Sequence, residues 1–151
     1  MRVTAKADYA VRAMVELAAA PTALHTAEAV AERQGIPLRF LLNILNELRV
    51  ARLVQSRRGR EGGYRLARAA AEISVADVIR AVEGPLADVH GTSPEDLDYP
   101  GPTAALREVW IATRRAVRGV LETVSLAEIA SGEPPVSITH ELAQPDALRR
   151  R

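Results

Sequence analysis

"SRRGREGGYRL", residues 56–66, sets four arginines and three glycines around a single tyrosine. Glycines allow a tight turn and close backbone approach, and arginines attract phosphates. The stretch therefore reads either as a nucleotide phosphate loop or as a hairpin facing a nucleic-acid backbone. A Walker-type loop needs Lys-Ser/Thr at the start of a helix, and the dinucleotide fingerprint needs G-x-G-x-x-G beside a parallel sheet. Neither pattern is present. The flanking segments, Leu53–Ser56 and Gly63–Leu66, have strand character, so the stretch is predicted as a β-hairpin.

Upstream, three helices are predicted. "AKADYAVRAMVELAAA", residues 5–20, places Ala7, Ala10, Val11, Met14, Leu17 and Ala18 on one stripe, and Pro21 ends it. Thr26 is suited to cap a second, two-turn helix that stops at Gly35. Pro37 suits the first position of a third helix, "PLRFLLNILNELRVARL", whose buried face is Leu41, Ile44, Leu45 and Leu48, with Val50 or its neighbours. Two helices joined by a glycine turn and followed by a hairpin predict a winged helix-turn-helix.

Downstream, "ISVADVIRAVEG" resumes helix, with Ser74 and Asp77 spaced as a capping box and Gly84-Pro85 closing it. Residues 86–103 carry two glycines, three prolines and four acids with no lysine or arginine, which predicts a long loop. A helix over 103–124 follows. Leu106, Trp110, Thr113, Val117, Val120 and Val124 alternate spacings of four and three, a heptad seam suited to pairing with a second copy. A second row, Val109, Ala116 and Leu121, leaves room for packing on its own domain. Ser125 and Glu128 cap a short helix that Gly132 ends, and residues 132–151 read as a flexible tail. Its terminal Arg149–Arg151 are not counted among the DNA contacts.

The fold class expected is mainly α with a small β-hairpin wing. The expected division is a DNA-binding domain over 1–85, an effector loop over 86–103, a dimerisation helix and short capped helix over 104–131, and the tail. Charge supports this. Residues 1–70 hold twelve Lys/Arg against six Asp/Glu, whereas residues 71–151 hold eight against thirteen. A basic N-terminal half suits a polyanion.

The 48% hydrophobic and 26% charged composition is that of an ordinary soluble globular protein. No apolar run approaches the roughly 18 residues of a membrane span. The charged N-terminal stretch is unlike a signal peptide, so a cytoplasmic location is expected. The chain has no cysteine, which excludes disulfides and every thiolate-ligated metal site. His25, His90 and His140 lack ligand spacing, and no catalytic constellation is evident. No enzyme activity and no cofactor are expected.

The run from "TAKADYAVRAM" through "LRVARLVQSRRGREGGYRLAR" and "ISVADVIRAVEGP" to "SLAEI" resembles the IscR/NsrR-type (Rrf-two) winged-helix regulators over roughly residues 2–131. The resemblance implies a homodimer that binds a partly palindromic operator, usually as a repressor, with recognition helices in major grooves and wings in minor grooves. Arg58 matches the wing arginine of that family, and Arg39, Phe40 and Asn43 match the start of its recognition helix. The expected DNA-contacting set is Lys6, Tyr9, Thr26, Arg39, Phe40, Asn43, Arg57, Arg58, Arg60 and Tyr64, with packing the expected role of Tyr64.

Two departures from the family stand out. Many relatives read Ser-Tyr-Leu-Glu where this chain reads Arg39-Phe40-Leu41-Leu42, and a leucine cannot accept a hydrogen bond from cytosine. Many relatives also hold an iron–sulfur cluster on three cysteines in the loop before the dimer helix, and residues 86–103 contain none. Asp8 falls where some members supply an acidic cluster ligand; without thiolates it reads as a surface charge. The expected signal is a small molecule or partner protein acting around Asp88, His90 and Trp110. The alternatives are a protein-interaction module with a vestigial wing, or a metal sensor using His90 with Asp88, Asp96 or Asp98.

Overall fold

The computed structural model describes residues 2–147 and 149; Arg150 and Arg151 of the arginine tail lie outside them. Seven α-helices and one hairpin are assigned among the described residues. They are α1 (Ala5–Ala19), α2 (Ala27–Gln34), α3 (Leu38–Val50), β1 (Val54–Arg57), β2 (Gly63–Leu66), α4 (Val75–Glu83), α5 (Leu106–Leu121), α6 (Leu126–Ala130) and α7 (Thr139–Leu142).

Helix α1 is the hub. Its Ala7, Ala10, Ala13, Met14, Leu17 and Ala18 are buried, and α2, α3, α4, α6 and β2 all pack on it. Small alanines let neighbouring helices come close, while Met14 and Leu17 fill the space between them. The core is completed by Leu41, Ile44, Leu45 and Leu48 of α3, by Val30, Leu53, Ile73 and Val78, and by Leu126 of α6.

The caps form where the sequence signals them. The Thr26 hydroxyl accepts from the Ala29 amide at 3.2 Å, and Gly35 closes α2 in the left-handed region. Ser74 and Asp77 form a reciprocal box at α4, as do Ser125 and Glu128 at α6. The Glu128 carboxyl is held below its usual range by the Ser125 amide first, then by the Ser125 hydroxyl.

Several boundaries differ from expectation: β1 runs Val54–Arg57 rather than Leu53–Ser56, and α5 begins at Leu106 rather than at 103. Pro37 is the N-cap of α3 rather than its first residue. Helix α3 ends at Val50 rather than reaching Leu53, because Arg52 takes a left-handed φ of 60° and turns the buried Leu53 toward the core. Helix α5 ends at Leu121, so Val124 leaves the predicted seam and is buried within the domain. The predicted tail contains a 3-10 turn at Val136–Ile138 followed by α7.

The start of α6 is bonded to the start of α4. Val75 N–H donates to Val124 O at 3.0 Å, and Leu126 N–H donates to Ile73 O at 2.9 Å. These bonds pair the starts of α4 and α6, and Leu126 enters the same core as α1 with no exposed surface. Helix α6 thus packs on α1, and Leu126 shares its core.

Candidate nucleic-acid interface

The outer face of α3 follows from its inner one. With Leu41, Ile44, Leu45 and Leu48 buried, helical periodicity turns Leu38, Arg39, Leu42, Asn43, Asn46, Arg49 and Val50 to the surface. Arg49 donates to the Asn46 side-chain oxygen at 2.9 Å. Asn46 and Arg49 are absent from the expected contacts, although their spacing from Arg39 and Asn43 places them on the same exposed face.

Phe40 sits at the edge of this face. The ring of Tyr9 meets it edge-on, with centroids 5.8 Å apart and planes at 82°. Arg12 lies over the Tyr9 ring at 5.5 Å and donates to the Gln34 carbonyl, which ties α1 to the end of α2. A second polar chain supports the same corner. Glu16 accepts from Gln34 at 2.6 Å and pairs with Arg33. Burial raises the Glu16 pKa, but the hydrogen bonds from Gln34 and Arg33 and the nearby positive charge outweigh it, so the carboxyl is held below its usual range.

The hairpin pairs antiparallel, with Val54 opposite Leu66 and Arg57 opposite Gly63. Its tip, residues 58–62, carries Arg58 and Arg60. These two and Arg57 are exposed, and none forms an ion pair with another described residue. Two glycines are dictated by geometry. A Cβ on Gly62 would lie 2.2 Å from the Arg57 carbonyl oxygen, and one on Gly63 would lie 2.7 Å from the His25 carbonyl oxygen.

The close approach at Gly63 locks the wing to the domain. His25 N–H donates to Tyr64 O at 2.9 Å, and Tyr64 N–H donates back to His25 O at 2.8 Å. The Tyr64 side chain is half-buried against the core. In the sequence His25 is marked only by its lack of ligand spacing to the other histidines. Its bridge to the wing has no sequence signature, because its partner Tyr64 lies beyond α2, α3 and β1 in the chain.

The remaining expected contacts separate by role. The Lys6 ammonium donates to Val82 O at 2.6 Å and pairs with Glu47 at 2.8 Å, so it braces α1 against α4 and α3 rather than standing free for a phosphate. Thr26 caps α2, and Tyr9 and Tyr64 position their neighbours. Arg39, Asn43, Arg57, Arg58 and Arg60 are exposed on α3 and the wing. Asp8, read as a surface charge, is exposed and pairs with Arg12.

Beyond the domain, the loop folds back on α5. Arg114 reaches Glu95 and Ser93, each at 2.5 Å, and Arg107 donates twice to the Glu95 carbonyl. The Ser93 hydroxyl is the first cause of a Glu95 pKa below the usual range, with Arg114 and Arg107 adding to it. Asp88 lines an apolar cleft of about 170 Å³ formed by Val3 and Ala7 of the N-terminal segment, Ile79 of α4, and Val117 and Leu121 of α5. His90 and Trp110 are not among its walls, so the three effector-region residues do not converge there. Trp110 is half-buried, and its indole N–H is buried without an acceptor among the described residues.

No three His, Asp or Glu side chains among the described residues come together as a metal site. With no cysteine in the chain, the donor set does not fit the cluster that the family resemblance implies. No helix among the described residues is long and apolar enough to cross a membrane.

Comparison with known proteins agrees with this architecture. Residues 3–132 match the Rrf2 family model, described as an iron-dependent transcriptional regulator. A Mycobacterium tuberculosis protein (strain H37Rv) named as an HTH-type transcriptional regulator, Rv1287, is 54% identical over 136 residues, covering 89% of this chain and 84% of that one. The structure of CymR, the global cysteine regulator of Bacillus subtilis, superposes with a TM-score of 0.75 at 32% identity, covering 89% of this chain and 99% of that one. IscR of T. potens superposes with a TM-score of 0.71 at 32% identity, covering 87% and 88%. The winged helix-turn-helix and the matched sequence lead to one conclusion: this chain belongs to the Rrf2 family of transcriptional regulators.

Proposed function

We propose that two copies of this chain associate through α5 and bind a partly palindromic operator in the cytoplasm as a repressor, without an iron–sulfur cluster. The observation that carries the DNA part is the exposed face of α3 standing beside three wing arginines with no internal ion pair among the described residues. Helix α3 suits a major groove, and Arg57, Arg58 and Arg60 suit the phosphates and narrow minor groove beside it.

The dimer part rests on α5. It is sixteen residues long and none is fully buried; Leu106, Trp110, Thr113, Val117 and Val120 are half-exposed on one side. A helix of that length with an apolar row needs a partner surface, and a second α5 supplies one. The proposed division is a DNA-binding unit over 1–85 completed by residues 124–130, a sensor loop over 86–103, and α5 as the joint between copies. A small molecule or protein bound near the loop and α5 would shift the separation of the recognition helices, and so operator affinity.

The test is DNA binding against salt. The full-length protein is used to select sequences from a random duplex pool, and affinity is then measured by fluorescence anisotropy across salt concentrations. Arg58→Ala is expected to lower the slope of log affinity against log salt by about one per protomer. Failure to select any sequence, or an Arg58→Ala slope equal to wild type, overturns the proposal.

A further inference from the structure

The exposed face of α3 is divided in two. Leu38 and Leu42, one helical turn apart on one flank of the face, are 38% and 40% exposed. Asn43, Asn46, Arg39 and Arg49 make up the polar remainder. Large aliphatic side chains on a surface otherwise made to meet a polyanion need an apolar partner to gain anything from contact. In the major groove one group fits that need, the C5 methyl of thymine.

We propose that Leu42, with Leu38 behind it, reads thymine methyl groups in the operator half-site. The inference rests on the operator-binding reading above and names part of what the operator contains. Three observations choose DNA as the occupant of this patch over a second protein surface. Cations flank the leucines on α3 itself, at Arg39 and Arg49. Three further exposed arginines stand on the adjoining wing. The apolar row of α5 that suits a second copy is a separate element.

The neighbouring amides strengthen the reading. Asn43 and Asn46 carry the side chain that pairs bidentately with adenine N6 and N7, and every adenine stands opposite a thymine. A face that sets asparagine beside leucine therefore suits A·T pairs from both strands. Phe40, two residues from each leucine, lies on the opposite flank of α3 against the Tyr9 ring and is no part of this strip.

Uracil is the probe, because it differs from thymine by the methyl alone. Duplexes of the selected operator are prepared with each thymine of the half-site replaced in turn by deoxyuridine. Affinity for the full-length protein is measured at fixed salt. Removing one contacted methyl is expected to weaken binding about fourfold, and removing its equivalent in both half-sites about 15-fold. Leu42→Ala is expected to bind the thymine and uracil operators within about twofold of each other. Both leucines are surface residues, so the Leu38→Ala and Leu42→Ala proteins keep the fold, which circular dichroism checks.

A selected operator whose thymines all tolerate uracil overturns the inference and leaves the operator reading standing. A thymine preference that persists in Leu38→Ala/Leu42→Ala also overturns it, since the methyl is then read elsewhere. A protein that selects no sequence overturns the operator reading and this inference together.

Discussion

Gly63→Ala isolates the contact that fixes the wing. The backbone at Gly63 has φ of 152°, outside the range that side-chain-bearing residues favour, and the new Cβ would stand 2.7 Å from the His25 carbonyl oxygen. The atom it meets is backbone, so no side-chain rotation relieves the clash. Strained φ of this kind costs about 1–3 kcal/mol. The chain can escape by releasing the wing from residue 25, which forfeits the two hydrogen bonds between His25 and Tyr64, each worth about 1 kcal/mol net. The escape route limits the cost, and the expected destabilisation is about 2–3 kcal/mol. In urea, with a slope of about 2 kcal/mol per molar, the midpoint falls by about 1 M. Protein concentration is held constant, because association would otherwise shift the midpoint.

Amide exchange provides a residue-level check. Protection at the Tyr64 and His25 amides is expected to fall further than at Ile44 and Leu45 in the core, since the wing opens without global unfolding. Gly59→Ala is the control: its φ is also positive, yet no atom lies within 4 Å of the added Cβ, so only the backbone preference is lost. A Gly63→Ala protein with an unchanged midpoint and unchanged Tyr64 protection would mean that close approach to His25 does not hold the wing.

Three further outcomes are expected. Leu126→Ala removes a side chain with no exposed surface from the junction of α6 and α1 and should cost about 3 kcal/mol in the same urea series; a loss below about 1 kcal/mol would mean α6 does not share the core. Glu16→Gln tests the support behind the recognition helix. The folded carboxyl titrates below its ordinary 4.5, so its contribution is present above that value and is lost as pH falls through the folded value. The wild-type advantage over Glu16→Gln should therefore be full near neutrality and shrink in acid, and a difference independent of pH contradicts the assignment. Val120→Asp places a charge on the α5 row away from the cleft that Val117 lines, and should convert a dimer to monomers in light scattering at unchanged helicity. A variant that stays dimeric places the joint elsewhere.

Much of the fold can be read along the chain because its signals are local. The boxes Ser74/Asp77 and Ser125/Glu128, the Thr26 cap and the turn glycines act within one helical turn, and each forms at its expected residues. Most of the α1 stripe and of the buried face of α3 follows from helical period, as the hairpin does from its glycines, but Val11 is only half-buried and Val50, expected with the buried face, is exposed at the end of α3. The exposed arginines of the wing are equally plain, since the turn around them offers few acids to pair with.

Other features depend on residues distant in the chain. Arg52 ends α3 in a left-handed turn with no glycine to announce it, because burying Leu53 outweighs the local preference. Lys6 resembles a free cation until the fold brings Glu47 and the Val82 carbonyl to it. Val124 belongs by spacing to the helix before it and Leu126 to the short capped helix after it, yet the fold returns both to the core through bonds to Val75 and Ile73. His25 joins the wing for the same reason. Period, caps and charge are properties of neighbouring residues, so the chain alone specifies which faces are apolar, where helices start and where the cations lie. Which of those cations stay free, and which segment closes the core, is settled only when the elements meet in space, because pairing and burial join residues that are remote in sequence.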